Sequence, residues 1–285
     1  MAAKALSVGL LPDSGEMARS SYAPFFVPQM APLPEHVSQA LLTGPQAHEL
    51  LPPVPQAPLL QSACDWPVET GYTYSPDGAA RVFVLTQMPG VTPAMWDWWF
   101  GWHGSEALRY RLWHPRAHVD VGWAEGLGDQ GRYVGRTSHV VEYVGAQRLR
   151  LAIRFVLPRE LGLDEAKLAA QGEVAICARG SMAGTPLETG WLIHHVRPVM
   201  GGAEMRSRFW IAGDNIHPKK ISGPAARWIG RGAAMLARLS PLEAPDLLVH
   251  CAQEMNHLAA ILPKLFAAFG TGAAKDGKAG ASDAA

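Results

Sequence analysis

Short runs of alternating hydrophobic and polar residues fill the middle of the chain, and such runs predict β-strands. "GYTYS" and "ARVFVLTQM" flank the turn residues Pro76, Asp77 and Gly78, which indicates a hairpin. Further strands are predicted for "GRTSHVVEYVG", "RLRLAIRFVLP", "EVAICARG", "ETGWLIHHVRP" and "AEMRSRFWIAG", with one or two helical turns for "LDEAKLAAQ". The region from about residue 63 to 240 is therefore predicted to be rich in strands.

A helical period replaces this alternation after about residue 240. In "PLEAPDLLVHCAQEMNHLAAILPKLFAAFG" apolar residues recur every three or four positions, and Pro263 should kink or end the helix. A shorter helix is predicted for "VTPAMWDWWFGWHG", with Thr92 as N-cap, Pro93 in the first turn and Gly104 as the stop. An antiparallel sheet closed by one long carboxy-terminal helix is an α+β architecture. A curved sheet around such a helix leaves a cavity, so the cavity-facing helix residues are candidates for chemistry.

The first 62 residues are rich in proline and follow neither period. They predict an extended arm with one or two short helices, such as "PEHVSQALLTG". We therefore divide the chain into an arm or small domain (1–62), a main domain (63–269) and a small, polar tail (270–285) that is predicted to be disordered. Because the arm has so little core of its own, it must pack on its own domain or on a partner subunit.

Composition narrows the class of protein. The 285 residues carry 25 basic and 25 acidic side chains, and this balance argues against nucleic acid or an anionic membrane as a partner. Cys64, Cys177 and Cys251 are far apart and form no CxxC pair, which is typical of reduced thiols. Neither a signal sequence nor an apolar stretch of membrane-spanning length is evident. These features predict a soluble, cytoplasmic protein.

The stretch "VHCAQEMNHLA" suggests a metal site on the long helix. His250 and Glu254 are four residues apart, so they lie on one face of a helix, and an imidazole and a carboxylate are both ligands for zinc. His257 is a further candidate. The alternative is that these residues only line a solvated edge of the helix, because an HxxxE pair alone is a weak motif.

The strand region offers partners for this pair. "RYRLWHPRAHVDVGW" contains His114 and His118, and "SHVVEYVG" contains His139 and Glu142. Residues three apart in a strand point to opposite faces, so His139 and Glu142 cannot both face one cavity, and the pattern alone does not choose between them. His114, just before a proline, is equally compatible with a turn, and Tyr110 with an ordinary strand tyrosine.

"MPGVTPAMWDWWFGWHG", "RYRLWHPRAH", the strand glutamate and "HCAQEMNHLA" together resemble the 2,4-diacetylphloroglucinol hydrolase family, which includes phloretin hydrolases. The resemblance covers most of about residues 70 to 265. It implies a helix-grip domain, similar to plant pollen-allergen and START-like folds, and a small amino-terminal part used in homodimer contact. It also implies a hydrolase that cuts the carbon–carbon bond between an acyl group and a polyhydroxylated aromatic ring, with a small phenolic ketone as substrate.

The family resemblance also implies a zinc site of two histidines and two glutamates. Matched residue by residue, these ligands fall on His118, Glu142, His250 and Glu254. The spacing from the first to the second is shorter than the family pattern, which indicates a trimmed loop.

The substrate pocket can be matched in the same way. Tyr110 corresponds to a tyrosine that hydrogen-bonds the phenolic substrate, and a pocket histidine falls on the "HH" pair, where we favour His194 over His195. Tyr110 and His194 are the candidates for proton transfer. Two positions depart from the pattern, because Val121 replaces a pocket asparagine and Phe209 a second pocket tyrosine. Loss of such hydrogen-bond partners changes which substrate a site accepts.

Two other functions stay open at this point. Two histidines with a carboxylate are also the ligand set of non-haem iron oxygenases. A helix-grip domain can also enclose an apolar or phenolic ligand without catalysing a reaction, and the fold alone does not decide.

Overall fold

A computed structural model of the chain describes residues 14–62, 65–219, 221, 230 and 243–270. The α-helices are α1 (Ser14–Arg19), α2 (Glu35–Thr43), α3 (Pro93–Trp102), α4 (Ala107–Trp113), α5 (Glu165–Gln171) and α6 (Glu243–Leu265). The strands are β1 (Gly71–Tyr74), β2 (Ala80–Pro89), β3 (His118–Trp123), β4 (Thr137–Val144), β5 (Gln147–Val156), β6 (Val174–Met182), β7 (Leu187–Glu188), β8 (Gly190–Val199), β9 (Gly202–Ile211) and β10 (His217–Pro218). Shorter 3₁₀ turns connect several of these elements, and Phe266–Gly270 forms a π-helical turn. The predicted tail beyond residue 270 and Cys64 lie outside the described residues.

Eight strands form one antiparallel sheet in the order β1-β2-β9-β8-β6-β5-β4-β3. The strands predicted from the alternating pattern all belong to it, and the predicted hairpin is the pair β1–β2. The long helix α6 lies against one face of the sheet and buries Leu248, Met255, Leu258 and Leu262 in the same core as strand residues. The predicted α+β helix-grip architecture is therefore confirmed.

Alternation along the strands divides the interior into two layers. On β9, Met205 and Phe209 join the core shared with α6, whereas Trp210 belongs to a second core on the opposite face. Successive side chains of one strand thus point alternately towards the core shared with α6 and towards the second core. The same alternation decides whether a polar residue of β8 or β9 lies on the α6 side of the sheet or on the opposite side.

The amino-terminal arm packs on the sheet of its own chain. Tyr22 and Val37 join the core shared with α6, and Leu51 and Leu60 join the second core beside Trp210. The arm therefore has a packing partner within the chain, and a homodimer is not needed to bury it. The homodimer stays a prediction, as does the division into an arm and a main domain.

Two helix boundaries differ from the predicted ones. α3 begins at Pro93 as predicted but gives way to a 3₁₀ turn, His103–Ser105, that includes Gly104. A Cβ atom on Gly104 would lie 2.5 Å from the Trp123 ring, so close packing requires this glycine. Pro263 does not end α6, because α-helical geometry continues to Leu265. None of the helices in the described residues combines the length and hydropathy needed to cross a membrane.

Candidate metal centre

An irregularity in the edge strand β3 places His118 in the interior. His118 lies opposite Glu142 of β4, and the register shifts by one residue directly after it. His118 and Val119 therefore share one partner position, which is a β-bulge. In a regular strand His118 and Val121 would point to opposite faces. The bulge lets His118 approach α6 while Val121 also joins the core shared with α6.

The strand β4 resolves the choice between His139 and Glu142. Glu142 is 8% exposed, whereas His139 is exposed on the other face. An Oε2–Nε2 distance of 3.8 Å separates Glu142 from His118. The spacing argument is therefore correct, and Glu142 is the residue that faces α6.

The helix α6 contributes the other two predicted ligands from its buried side. His250 and Glu254 are 6% and 7% exposed, so they do not line a solvated edge. Together with His118 they offer ligand atoms that lie within 4.8 Å of one another. Oε2 of Glu254 is 3.3 Å from Nε2 of His118 and 3.8 Å from Nε2 of His250. His257 is buried as well, but it does not belong to this group.

The orientation of the His118 ring suits a metal ligand. Its Nδ1 is 3.0 Å from the carbonyl oxygen of Tyr110, which can only accept, so Nδ1 carries the proton. The buried Nε2 faces Glu254 and has no hydrogen-bond partner among the described residues. Burial, with His250 and His114 nearby, holds the pKa of His118 well below its usual value, so the ring is neutral. A neutral imidazole with a free Nε2 lone pair is the form that binds a metal.

The two carboxylates lack a cationic partner. Burial raises the pKa of Glu142 to about 7 against the opposing hydrogen bond from Tyr110. Burial and the neighbouring Glu142 raise the pKa of Glu254 well above its usual value. Among the described residues, the ion-pair contacts found for both are to histidines alone, and burial lowers the pKa of His250 to about 4. Buried, unpaired carboxylates are costly, so this donor set fits a divalent cation.

Tyr110 lies on the helix α4, so its interpretation as a strand residue is wrong. The alternating letters of "RYRLW" hide a helical turn whose Leu108 and Leu112 are buried four residues apart. The Tyr110 hydroxyl donates a hydrogen bond to Oε2 of Glu142, and its ring stacks on His118 at 3.8 Å between centroids. Tyr110 therefore contacts two of the four predicted ligands.

The neighbouring histidines of β8 point to opposite faces of the sheet. His194 is buried on the α6 side, where it stacks on Phe100 and contacts Phe209 edge-on. His195 lies on the other side, where its Nε2 is 2.8 Å from Oε2 of Glu173. Only His194 shares a face with the core around α6.

The two departures from the family pattern are both buried and apolar. Val121 packs beside Val140 across the β3–β4 pair, and Phe209 lies 5.7 Å from His194 between ring centroids. Both belong to the core shared with α6. Neither side chain can donate or accept a hydrogen bond.

Sequence reasoning missed the surroundings of His114. Its ring is buried and stacks on His250 at 5.1 Å between centroids, with Gln253 as a hydrogen-bond partner. The interpretation of His114 as a simple turn residue is therefore incomplete, although its backbone carbonyl does accept from Ala117 and His118. Its proximity to His118 in the sequence was the available clue.

Comparison with known proteins identifies the family of the chain. A family model described as the DAPG hydrolase PhiG domain matches residues 54–267, which include all four predicted ligands. The chain belongs to the DAPG hydrolase family. Its curated relatives are named as hydrolases, so the predicted membership of a hydrolase family is confirmed.

Two relatives cover nearly the whole chain. A 2,4-diacetylphloroglucinol hydrolase from a Pseudomonas species is 32% identical over 286 residues, covering 93% of each chain. A phloretin hydrolase from Eubacterium ramulus is 31% identical over 263 residues, covering 88% of this chain and 91% of its own. Among solved structures, major latex-like protein 151 of Panax ginseng aligns over 60% of this chain and 97% of its own, with 11% identity and a TM-score of 0.32.

Proposed function

We propose that this protein is a zinc-dependent hydrolase that cleaves the carbon–carbon bond between an acyl group and a polyhydroxylated aromatic ring. The observation that carries the proposal is the convergence of His118, His250 and Glu254, with Glu142 beside them, in a member of a hydrolase family. All four residues are buried and no described cation balances the carboxylates. These four side chains would hold the ion.

The names of the relatives support this reaction. 2,4-Diacetylphloroglucinol and phloretin are aromatic ketones in which the carbonyl carbon is attached to a ring carbon. Hydrolysis at that carbonyl breaks the bond between the two carbons. The acyl carbon gains a hydroxyl from water and leaves as a carboxylic acid, while the ring carbon gains a proton and leaves as the free phenol.

A divalent ion held by His118, Glu142, His250 and Glu254 would supply positive charge for the acyl oxygen and would lower the pKa of a nearby water. The protein side chains supply the remaining polar groups. Burial and Glu142 raise the pKa of Tyr110 well above its usual value, so Tyr110 stays protonated and donates a hydrogen bond. In the free protein, the Tyr110 hydroxyl donates to Glu142. In the proposed reaction, a phenolic oxygen of the substrate replaces Glu142 as the acceptor of this hydrogen bond. His194, which is buried on the α6 side of the sheet, is the second candidate for proton transfer.

The apolar side chains Val121 and Phe209 support a substrate that differs from diacetylphloroglucinol. A ring hydroxyl buried against either residue would lose its hydrogen bonds with water and gain none, at a cost of about 1–3 kcal/mol. We therefore propose a phenolic ketone with fewer hydroxyl groups, or with apolar substituents, on the ring edge that faces Val121 and Phe209.

Metal content of the purified protein is the first test. We expect about one zinc per chain in the wild type and its loss in both His250→Ala and Glu254→Ala. His139→Ala is the matched control, because His139 is exposed on the opposite face of β4 and should leave the zinc content unchanged. Iron instead of zinc would favour an oxygenase. No metal in a folded wild type would leave a ligand-binding domain without catalysis.

Substrate assays test the reaction itself. Acylphloroglucinols, phloretin and analogues that lack one ring hydroxyl should be incubated with the zinc-loaded protein, and release of both the free phenol and the carboxylic acid should be measured. We expect the analogues to react faster than diacetylphloroglucinol. Release of neither product from any acylphenol would contradict the proposal.

A homodimer is part of the same proposal and rests on the family resemblance. Light scattering should give twice the mass of one chain. A single-chain mass at the concentration used for the assays would contradict it.

A further inference from the structure

Ser207 of β9 lies between two buried polar side chains, His194 of β8 and Cys251 of α6. These three residues form a buried polar line. Oγ of Ser207 is 2.8 Å from Nδ1 of His194. Cys251 of α6 lies beside the same hydroxyl, which lowers the pKa of the thiol against the larger effect of burial. Ser207 and Cys251 have no exposed surface, and His194 is 4% exposed. The line lies outside the group of predicted metal ligands.

The sheet register brings these groups together. His194 and Ser207 are direct partners in the β8–β9 pair, so their side chains point to the same face. That face is covered by α6, which places Cys251 above Ser207. Neighbouring rings hold the imidazole, since His194 stacks on Phe100 at 5.8 Å and meets Phe209 edge-on at 5.7 Å between centroids. Nδ1 therefore faces Ser207 and Nε2 faces away from it.

The His194 ring carries a single proton. Burial lowers the pKa of His194 to about 3, so the ring is neutral at physiological pH. Ser207 is the hydrogen-bond partner found for this ring among the described residues. Which nitrogen bears the proton decides whether Nε2 donates or accepts a hydrogen bond.

The hydrogen-bonding capacities of the three groups favour one arrangement. Ser207 has one hydroxyl proton and two neighbours that can accept it. A sulfur atom is a weak acceptor, whereas an imidazole nitrogen is a good one. The hydroxyl therefore donates to Nδ1 of His194 in preference to the Cys251 sulfur. Nδ1 is then the acceptor, so the proton of the ring is on Nε2.

We propose that Ser207 is a positioning residue that holds His194 in the Nε2–H tautomer, so that His194 offers a hydrogen-bond donor to an oxygen of the substrate. The catalytic consequence rests on the proposed function. The tautomer itself is a property of the folded chain and can be measured without any substrate.

Nuclear magnetic resonance of the protein with ¹³C- and ¹⁵N-labelled histidine tests the tautomer directly. The His194 resonances are identified by their absence in His194→Gln. We expect the shifts of a neutral ring protonated on Nε2 in the wild type, a mixture of both tautomers in Ser207→Ala, and a return to the wild-type shifts in Ser207→Thr. Ser181→Ala is the matched control, because Ser181 is a buried strand serine whose hydroxyl donates to the backbone of Ala152.

The kinetic test follows with whichever acylphenol the protein hydrolyses. Ser207→Ala should lower kcat about tenfold, the effect of one misplaced hydrogen bond of ordinary strength, and should leave KM nearly unchanged. In the His194→Gln background the same change should have no further effect.

Two spectroscopic results would overturn the proposal. One is a wild-type His194 protonated on Nδ1, a measurement that requires no variant of Ser207 to fold. The other is a Ser207→Ala protein, folded by circular dichroism, whose His194 keeps the Nε2–H shifts. Failure of all substrates to react, with the expected shifts observed, would instead reject the proposed reaction and leave the assignment of the tautomer intact.

Discussion

Tyr110 contacts two of the predicted metal ligands, Glu142 and His118. The Tyr110 hydroxyl donates to Glu142, while the Tyr110 ring covers His118 at 3.8 Å and the Tyr110 carbonyl accepts from Nδ1 of the same histidine. One residue thus orients two predicted ligands from different strands. Mutation of groups of this kind, which hold the ligands without binding the metal, typically costs about 10–100-fold in metal affinity or activity.

We expect Tyr110→Phe to lower kcat/KM at least about tenfold while zinc remains bound, because the hydroxyl contacts Glu142 and the ring still covers His118. Steady-state hydrolysis assays and metal analysis on the same sample measure both effects. Tyr133→Phe is the matched control, since the Tyr133 hydroxyl donates to Asp97 at 2.7 Å and lies away from the predicted ligands. Equal losses in the two variants would show that the effect of Tyr110 is not specific to the site.

The individual site residues differ in how far sequence alone could identify them. His250 and Glu254 follow from helical spacing, because one helix fixes their relation. Glu142 and His194 required knowledge of which face of a strand meets α6, and their neighbours His139 and His195 have the same local pattern. Pairing with the other strands decides which residue faces α6, and a short stretch of sequence does not reveal that pairing.

At the scale of elements, the bulge in β3 decides the composition of the interior. It places both His118 and Val121 on the α6 side, although their spacing of three predicts opposite faces. The sequence "HVDVGW" gives no signal for the bulge, since the extra residue is Val119 and not a glycine or a proline. The family resemblance identified His118, whereas the periodicity of the strand did not.

The segment that leads from the arm into β1 is fixed to the sheet by a buried cluster of charges. Glu69 pairs with Arg206 at 2.6 Å and also with Arg208, and Trp66 covers both guanidinium groups. Neither arginine has exposed surface. We expect Glu69→Gln to lower the free energy of unfolding by about 3–5 kcal/mol, because two buried cations lose their counter-charge.

Urea unfolding of Glu69→Gln at neutral pH measures this loss. The control is Glu49→Gln, since Glu49 pairs with His48 on the surface and should change stability by less than about 0.5 kcal/mol. A loss below about 1 kcal/mol in Glu69→Gln would mean that the cluster contributes little to stability.

The same cluster predicts a dependence on pH with a definite sign. Burial alone would raise the pKa of Glu69, but Arg208 and Arg206 hold it below its ordinary value. A depressed carboxyl pKa stabilises the fold above the unfolded value of about 4.3, and this contribution disappears as the pH falls through the lower folded value. The stability difference between wild type and Glu69→Gln should therefore be constant above about pH 5 and shrink below about pH 4. A difference that persists unchanged in acid would contradict this assignment.

At the scale of the whole molecule, the predicted ligands join parts of the chain that are distant in sequence. His118 and Glu142 lie on the two strands at one edge of the sheet, and His250 and Glu254 lie on the helix near the end of the chain. Strand alternation predicted β4 and helix periodicity predicted α6, but neither predicted β3, and the approach of α6 to this edge depends on the long-range packing of the core. A bound ion would cross-link the sheet edge to α6 in the folded state only.

Metal removal should therefore destabilise the whole fold rather than the site alone. If free zinc exceeds its Kd a thousandfold, binding to the folded state adds about 4 kcal/mol to the free energy of unfolding. We expect a chelator to lower the Tm of the wild type and of His139→Ala, and to leave the Tm of His250→Ala unchanged because that variant has no ion to lose. Thermal unfolding of the three proteins, with and without chelator, measures this linkage. An equal response in wild type and His250→Ala would place the chelator-sensitive ion elsewhere and separate stability from the centre on α6.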